Sequence, residues 1–509
     1  MQFNASLTKR LIYATILFKL YKIKDLCSEY KISRKVAEKF KELNIIYAAI
    51  MRTRGESSNM KRIKFTTTQI ILLSFLLVIL LGSILLALPI SSANGIAVPY
   101  IDALFTSTTS TCVTGLVTLP TFSTWSVFGQ IVILVLIQVG GLGVVTIMTG
   151  LMLLLNKKLG VGDRLLIQDA FNLNTLSGLA KFVKNVLFGT LIIEGVGAVL
   201  YMPIFIPEFG AKGIWISIFN SVSAFCNAGI DIIAENSLCS YATNPLINIV
   251  TSLLIILGGL GYIVWWDVLR VVKNRSSKNK KIFRHLTLHS KIAITFTLGL
   301  IFIGAILIFI FEYDNPLTIG EMSLFDKIQV SFFQSVTTRT AGFATVAQEN
   351  FTSSTAVISI FLMLIGGSPV GTAGGMKTVT IAVLFCSALS TIQNKNNATL
   401  FGRSISESSL KKAVAVAITF LTICGTSALL LMATSDASVI DAVYEAVSAT
   451  ATVGLSRNLT PSLNAFGKII IIITMYFGRV GPISLAIALG SKNDNQNVIS
   501  EPTEEISIG

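Results

Sequence analysis

Four short loops hold the residues with the most chemical potential in this 509-residue chain: TCVTGL at 111–116, FCNAGI at 225–230, RTAGF at 339–343 and ATVGL at 451–455. Their glycines, Gly115, Gly229, Gly342 and Gly454, lie 114, 113 and 112 residues apart. An aromatic residue stands ten positions before each: Phe105, Phe219, Phe332 and Tyr444. Lone glycine turns recur by chance. Four at near-constant period, each with the same upstream aromatic, mark an internal repeat. Glycine lacks a Cβ and reaches φ values that can turn a carbonyl inward. Four such strands around one axis would gather backbone carbonyls, which can replace the hydration shell of a cation. The expected ligands are Val113, Thr114 and Gly115; Asn227, Ala228 and Gly229; Thr340, Ala341 and Gly342; and Thr452, Val453 and Gly454.

The elements that must position these strands are membrane spans. The chain is 52% hydrophobic and only 13% charged, whereas soluble domains carry about 25% charged residues. This excludes a disordered chain or a secreted disulfide scaffold and argues against a soluble enzyme. Eight segments have the length and apolarity to span a bilayer, near 69–89, 126–155, 185–206, 245–272, 290–312, 355–389, 411–433 and 464–490. Each loop falls between two of them. Backbone that is neither helix nor sheet is tolerated at membrane depth only where it lines a wet path or is buried in protein. A short helix before each loop would aim its partly negative C-terminal end at that path. The expected fold is an all-α polytopic membrane protein. Four pseudo-symmetric units of span, pore helix, filter loop and span surround one central pore. The units cover 66–156, 185–272, 290–389 and 411–490, between a basic cytoplasmic N-terminal extension at 1–65 and a cytoplasmic tail at 491–509.

Charge sets the orientation. The net charge is +14, yet 33 of the 40 Lys and Arg residues fall on the side of the termini and only Lys212, Lys327, Arg457 and Lys468 on the other. Positive-inside asymmetry places both termini in the cytoplasm of a multi-pass cell-membrane protein, so a nucleic-acid partner is not needed to explain the basicity. Residues 11–18 are largely apolar, but Lys19, Lys22 and Lys24 close the run and no small-residue cleavage site follows. This reads as an amphipathic segment lying on membrane lipid rather than a signal peptide. The six cysteines include no C-x-x-C pair and fit buried or reduced thiols.

The sixth span is interrupted at 366–378. Gly366, Gly367, Ser368, Pro369, Gly371, Thr372, Gly374 and Gly375 cannot sustain a helix. The stretch reads either as a kink packed through small residues or as an unwound polar loop below the filter. Arg479, in FGRVGP of the last span, is a charge at membrane depth, which marks a functional site unless it snorkels to an interface. Lys377 ends the broken segment, within reach of the cytoplasmic interface. Arg339 would repel cations if it faced the path, so it is expected to turn away and pair with an acidic group. Glu194 is a second intramembrane charge whose polar partner the sequence does not name. Other signals are weak. GGMKT at 374–378 lacks the Gly-Lys step of a phosphate loop. His285 and His289 have no third metal ligand in view and read as a solvated face. GGLG at 140–143 and 258–261 reads as close helix packing.

The fourth loop, Thr452-Val453-Gly454-Leu455, comes close to the potassium-channel filter sequence TVGYG. The chain as a whole resembles the membrane subunit of the Trk/Ktr/HKT superfamily of potassium transporters, most similar to the Ktr branch. The resemblance covers roughly 66–490 and rests on the four loops, QVGGLG at 138–143, TTRTAGF at 337–343 and GGSPVGTAGGMKT at 366–378. It implies potassium uptake rather than enzymatic activity. It also implies a gate in which the broken loop obstructs the pore together with Arg479, with Lys377 at the loop's end. A homodimer and a cytosolic nucleotide-binding regulatory ring, a KtrA-like subunit, are expected as partners. Potassium is the substrate and sodium a candidate activator; no organic cofactor and no other metal is expected. The other readings are a less selective Na+/K+ transporter, a secondary carrier of a small metabolite, and a membrane enzyme. Repeats of one membrane orientation argue against the inverted repeats of many carriers. The chain also shows no clustered acid, base or metal set at membrane depth for an enzyme.

Overall fold

The computed structural model describes residues 66–155, 160–170, 178–234, 236–273, 282–395 and 397–481. The expectations for 1–65, for 491–509 and for the last span beyond 481 lie outside the described residues. Each unit opens on one long first span: Thr67–Leu86, Leu179–Phe209, Leu288–Glu312 and Glu407–Thr434. A short helix follows, at Tyr100–Cys112, Lys212–Cys226, Leu324–Thr337 and Val439–Thr450. The sequence starts these elements with side-chain caps. Thr66 and Gln69 form a reciprocal capping box, and Ser323 and Ser438 cap short helices whose first turns carry Asp326 and Asp441. The second spans begin at Ser126, Asn244, Thr352 and Asn464, each accepting from backbone N–H groups of the first turn.

The second spans differ from the sequence expectation. Those expected at 126–155 and 245–272 each consist of two helices, Val127–Leu142 with Val144–Leu154 and Pro245–Leu260 with Tyr262–Lys273, bent by 98° and 93°. The bends fall at Gly143 (φ 86°) and Gly261 (φ 87°), a backbone that side chains resist. The GGLG glycines thus divide their roles. Gly140 and Gly258 pack against carbonyls of Thr111 and Phe225 at the ends of their short helices, and Gly478 does so against Thr450. The third second span is broken as expected, into Ser353–Leu364 and Thr378–Ile392.

Polarity is distributed inside out. Only 22–33% of the most apolar stretch of each first span is buried, and its outward face is Leu, Ile, Val and Phe, a surface that lipid covers and water would not. The short helices are the buried centre although Thr106 to Thr111 are all hydroxyl residues. Several of their hydroxyls are satisfied locally: Ser110 donates to Thr106 O at 2.6 Å and Thr450 to Ala446 O at 2.7 Å. Others lock the short helices to the first spans, where Ser107, Ser221 and Ser335 donate to carbonyls of Ile79, Glu194 and Ile301. In the fourth unit that position is Ala446.

This register corrects one aromatic. In units one, two and four, Thr114, Ala228 and Val453 N–H donate to carbonyls five residues back, at Thr109, Ser223 and Ser448. In unit three Ala341 N–H donates to Thr337, four back. The third loop is therefore one residue shorter, and the equivalent of Phe105, Phe219 and Tyr444 is the fully buried Phe333 rather than the partly exposed Phe332.

Polar contacts tie every seam between units. Trp215 donates to Gln130 at 2.8 Å, Leu238 N–H to Ala344 O at 3.0 Å, and Arg457 to Gln348 O at 2.8 Å. The ring is closed by an ion pair, Lys468 Nζ to Asp102 Oδ1 at 2.5 Å, its side chains only 15% and 8% exposed. Removing one member of a buried pair strands the other, at a cost of about 3 kcal/mol. Lys468→Met is expected to lower the unfolding midpoint in detergent, and the double variant with Asp102→Asn to recover most of the loss. Equal midpoints for the wild type and Lys468→Met would show that the pair does not hold this seam.

Candidate ion-conducting site

The four loops leave their short helices through the same unusual backbone. The residue two before each glycine is left-handed: Val113 (φ 55°), Asn227 (φ 59°), Thr340 (φ 66°) and Thr452 (φ 51°). The glycines follow with φ 98°, 64°, 83° and 95°. Valine and threonine resist this region because the branched Cβ crowds the backbone, so the surroundings must impose it. Hydroxyls one turn inside the helices do so. Thr109 accepts from Gly115 N–H at 3.0 Å, Ser448 from Gly454 N–H at 3.0 Å, and Ser223 from Ile230 N–H at 3.1 Å. In the shorter third loop Thr337 donates to Phe343 O at 2.6 Å. Sequence reasoning missed these four residues. Their signal was a recurring Ser or Thr six residues before the glycine, displaced to five in unit three.

The glycines then meet around one axis. A Cβ placed on Gly115 would stand 2.5 Å from Ala228 O, on Gly229 2.6 Å from Ala341 O, and on Gly342 2.6 Å from Val453 O. On Gly454 it would meet Thr114 O, which returns the cycle to the first unit. Each unit thus touches the carbonyl that precedes the next unit's glycine, in chain order, and the ring closes. All four glycines also line one cavity of about 240 Å³, with Asp231, Glu349, Asn236 and Ser456 among its walls. Burial pushes the Asp231 carboxyl up to about 6, against hydrogen bonds from Ser237 and the N–H groups of Ile233 and Ala234.

The broken segment lies against the strands from the helix-end side. Its neck is closed by Gly366 N–H to Met376 O at 2.9 Å, Thr378 N–H to Gly367 O at 3.0 Å, and Ser368 Oγ with Thr378 Oγ1 at 3.0 Å. Thr372 donates to Phe225 O at 3.0 Å, Gly374 N–H donates to Thr340 Oγ1 at 3.1 Å, and a Cβ on Gly374 would strike Thr452. Three of the four strands or their helix ends therefore contact the loop. It is also threaded into the bend of the second unit, with Ser368 N–H to Gly259 O at 2.8 Å, Tyr262 N–H to Val370 O at 3.0 Å, and Gly371 packed on Gly258 and Gly259. Gly375 takes φ 65° and packs on Gly366. Arg479 reaches across: Nη1 donates to Thr372 O at 2.6 Å and Nη2 to Gly140 O and, at 3.3 Å, to Gly141 O. One guanidinium joins the loop to the bent span of unit one. Lys377 turns back into the loop, donating to Ala373 O at 2.6 Å, rather than toward an interface.

Arg339 corrects a second expectation. It is 5% exposed and no ion pair to it exists among the described residues. Instead Nη2 donates to Gly366 O at 2.8 Å, at the neck of the broken loop. The carbonyl at the end of helix Ser353–Leu364 carries the partial negative charge that an acidic side chain was expected to supply. Glu194 accepts from Gln138 Nε2 at 3.2 Å and from Cys226 Sγ at 3.8 Å, behind the second strand.

A sequence profile described as TrkH, cation transport protein, matches residues 37–499. The chain belongs to the TrkH family of cation transport proteins. It is 38% identical over 450 residues to the Ktr system potassium uptake protein B of Bacillus subtilis, covering 88% of this chain and 98% of that one. It is 38% identical over 454 residues to the potassium/sodium uptake protein NtpJ of Enterococcus hirae, at 88% and 98% coverage. The crystal structure of the potassium transporter TrkH from Vibrio parahaemolyticus shares the fold, with a TM-score of 0.68 at 16% identity, covering 94% of this chain and 97% of that one. The fourfold helical membrane architecture read from the sequence is therefore that of a family of cation transporters.

The ring predicts a steric test. A side chain at Gly115 would displace the Ala228 carbonyl, and overpacking of this kind costs about 1–3 kcal/mol. Gly115→Ser is expected to lower cation flux roughly tenfold in proteoliposomes. Gly425→Ser, at an exposed position with open space around a Cβ, should leave flux unchanged. Unaltered flux in Gly115→Ser would remove that glycine from the path.

Proposed function

We propose that this chain takes up potassium through a channel-like pore on the axis of the glycine ring. The observation that carries the reading is the cyclic contact of Gly115, Gly229, Gly342 and Gly454 with the carbonyls of Ala228, Ala341, Val453 and Thr114. Backbone oxygens converging from four units can replace the hydration shell of a potassium ion, with no catalytic group required. The ligands are Val113 to Gly115, Asn227 to Gly229, Thr340 to Gly342 and Thr452 to Gly454. The names of the Ktr relatives, potassium uptake proteins at 35–38% identity, support this choice of ion. The 240 Å³ cavity is the outer vestibule, and the Lys and Arg distribution supports a cell-membrane protein with both termini in the cytoplasm. The four units at 66–156, 185–272, 290–389 and 411–490 act as one pathway.

The loop at 366–375 is the gate, held across the path by Arg479, with Lys377 bracing the loop itself. Two copies pair, and a cytosolic nucleotide-binding ring regulates them; both follow from the resemblance to the Ktr branch. The chain works without an organic cofactor and is not an enzyme, with sodium acting as an activator. A second reading, a pore shared by potassium and sodium, is favoured by the relative from Enterococcus hirae, whose name carries both ions.

Rubidium uptake by liposomes holding the purified chain decides between them. Potassium should compete strongly and sodium weakly. Equal competition would establish the second reading, and no uptake would sink both. The gate has its own outcome. Arg479→Ala, or shortening of 367–375, should raise rubidium flux in the absence of the regulator, because three side-chain hydrogen bonds from Arg479 to Thr372, Gly140 and Gly141 are lost. Flux unchanged or lowered in inserted, folded variants would end the gating assignment.

A further inference from the structure

The four short helices share a polar position that the ligand set does not use. Three residues before Thr109, Ser223, Thr337 and Ser448 stand Thr106, Asn220, Gln334 and Glu445. They are 7%, 2%, 1% and 0% exposed. Polar side chains so buried need partners, and in two units the partner is the strand just beyond the glycine. The Gln334 amide lies 3.2 Å from Thr345 Oγ1, three residues after Gly342. Glu445 Oε2 accepts from Ser456 Oγ at 2.9 Å, two residues after Gly454, and Oε1 accepts from Thr460 Oγ1. Only the fourth member of this belt can ionise.

We infer that Glu445 is a positioning residue for ion conduction: its carboxylate holds the outer end of the fourth strand through Ser456 and Thr460, and its protonation releases that hold and lowers flux. A carboxylate offers acceptors to both hydroxyls, whereas a carboxylic acid turns one oxygen into a donor, so the pair of bonds cannot persist unchanged. Protons have a route, because Ser456 lines the vestibule. The charges around Glu445 leave it unneutralised. Arg457, on the segment after the fourth strand, is paired with Asp441 at 2.8 Å, one turn before Glu445 on the same helix. Lys468, on the second span, is paired with Asp102. Tyr444 donates to Gln348 at 3.0 Å, and Glu349 carries a further negative charge on the adjoining segment of unit three. The sign follows. The charged form supports conduction, so flux is greatest above the carboxyl's titration and falls as pH drops through it.

This inference rests on reading the four strands as the ion path, and the two fail differently. Uptake at pH 8 by the full wild-type chain tests the path; its change with pH tests Glu445. Rubidium uptake is measured in proteoliposomes equilibrated on both sides between pH 8 and pH 5. Wild-type uptake is expected to fall about tenfold across this range, the scale of one charge-assisted hydrogen bond. Glu445→Gln should show the low, acid-side uptake at every pH. Asp231→Asn, which removes a buried carboxyl from the vestibule wall, should lower uptake at pH 8 and still show a further fall toward pH 5. Ser456→Ala provides a milder variant. It removes a donor to the charged form, so the midpoint should move about one unit toward higher pH. A flat wild-type profile, an unchanged profile in Glu445→Gln, a midpoint unmoved in Ser456→Ala, or loss of the pH dependence in Asp231→Asn would each overturn the assignment.

Discussion

The structure depends on one constraint: four glycine backbones must approach the carbonyls of their neighbours more closely than any Cβ permits. Given that approach, the units must stand around one axis in chain order. The loops before the glycines must then accept left-handed backbone at Val113, Asn227, Thr340 and Thr452. Such conformations persist only when over-determined. Here they are held by a Ser or Thr hydroxyl on every short helix, by glycines of the second spans packed against the helix ends, and by seam contacts that end in the Lys468–Asp102 pair.

The inside-out polarity follows from the same centre. Hydroxyl-rich helices and irregular strands cannot face lipid, because their polar groups would go unpaired. They are therefore surrounded by long first spans whose outer faces are apolar. The second spans must both cross and leave room below the ring. Two of them bend by more than 90° at Gly143 and Gly261, and the third unwinds. The bend thus recurs in two units and the broken loop takes its place in the third.

That loop is built as a cross-brace rather than as a free flap. Its neck is closed by its own backbone, Arg339 anchors the neck from the third strand, and Arg479 binds its middle to the first unit. Among the described residues both arginines donate to backbone carbonyls rather than to carboxylates. Such contacts are weaker than a buried ion pair and carry no stranded negative charge when they open, which suits the gating role proposed for the loop.

The sequence by itself determined the class, the repeat and the break. Hydropathy located the four long first spans because lipid demands about 20 apolar residues each. The glycine period exposed four equivalent loops, and the run at 366–375 could not be helical. Family membership was legible in the same motifs. Tertiary structure decided what local pattern cannot encode. Phe333, not Phe332, is the third aromatic, because one residue is missing between helix and glycine and only the hydrogen-bond register reveals it. Gly143 bends while Gly140 packs, although both belong to one GGLG, since a bend needs positive φ and packing needs a missing Cβ. Arg339 found a backbone carbonyl, and Glu194 a glutamine and a thiol, because partners across the bundle are fixed by which helices the ring brings together. Charge and spacing say that a buried group needs a partner; only the packed chain decides which.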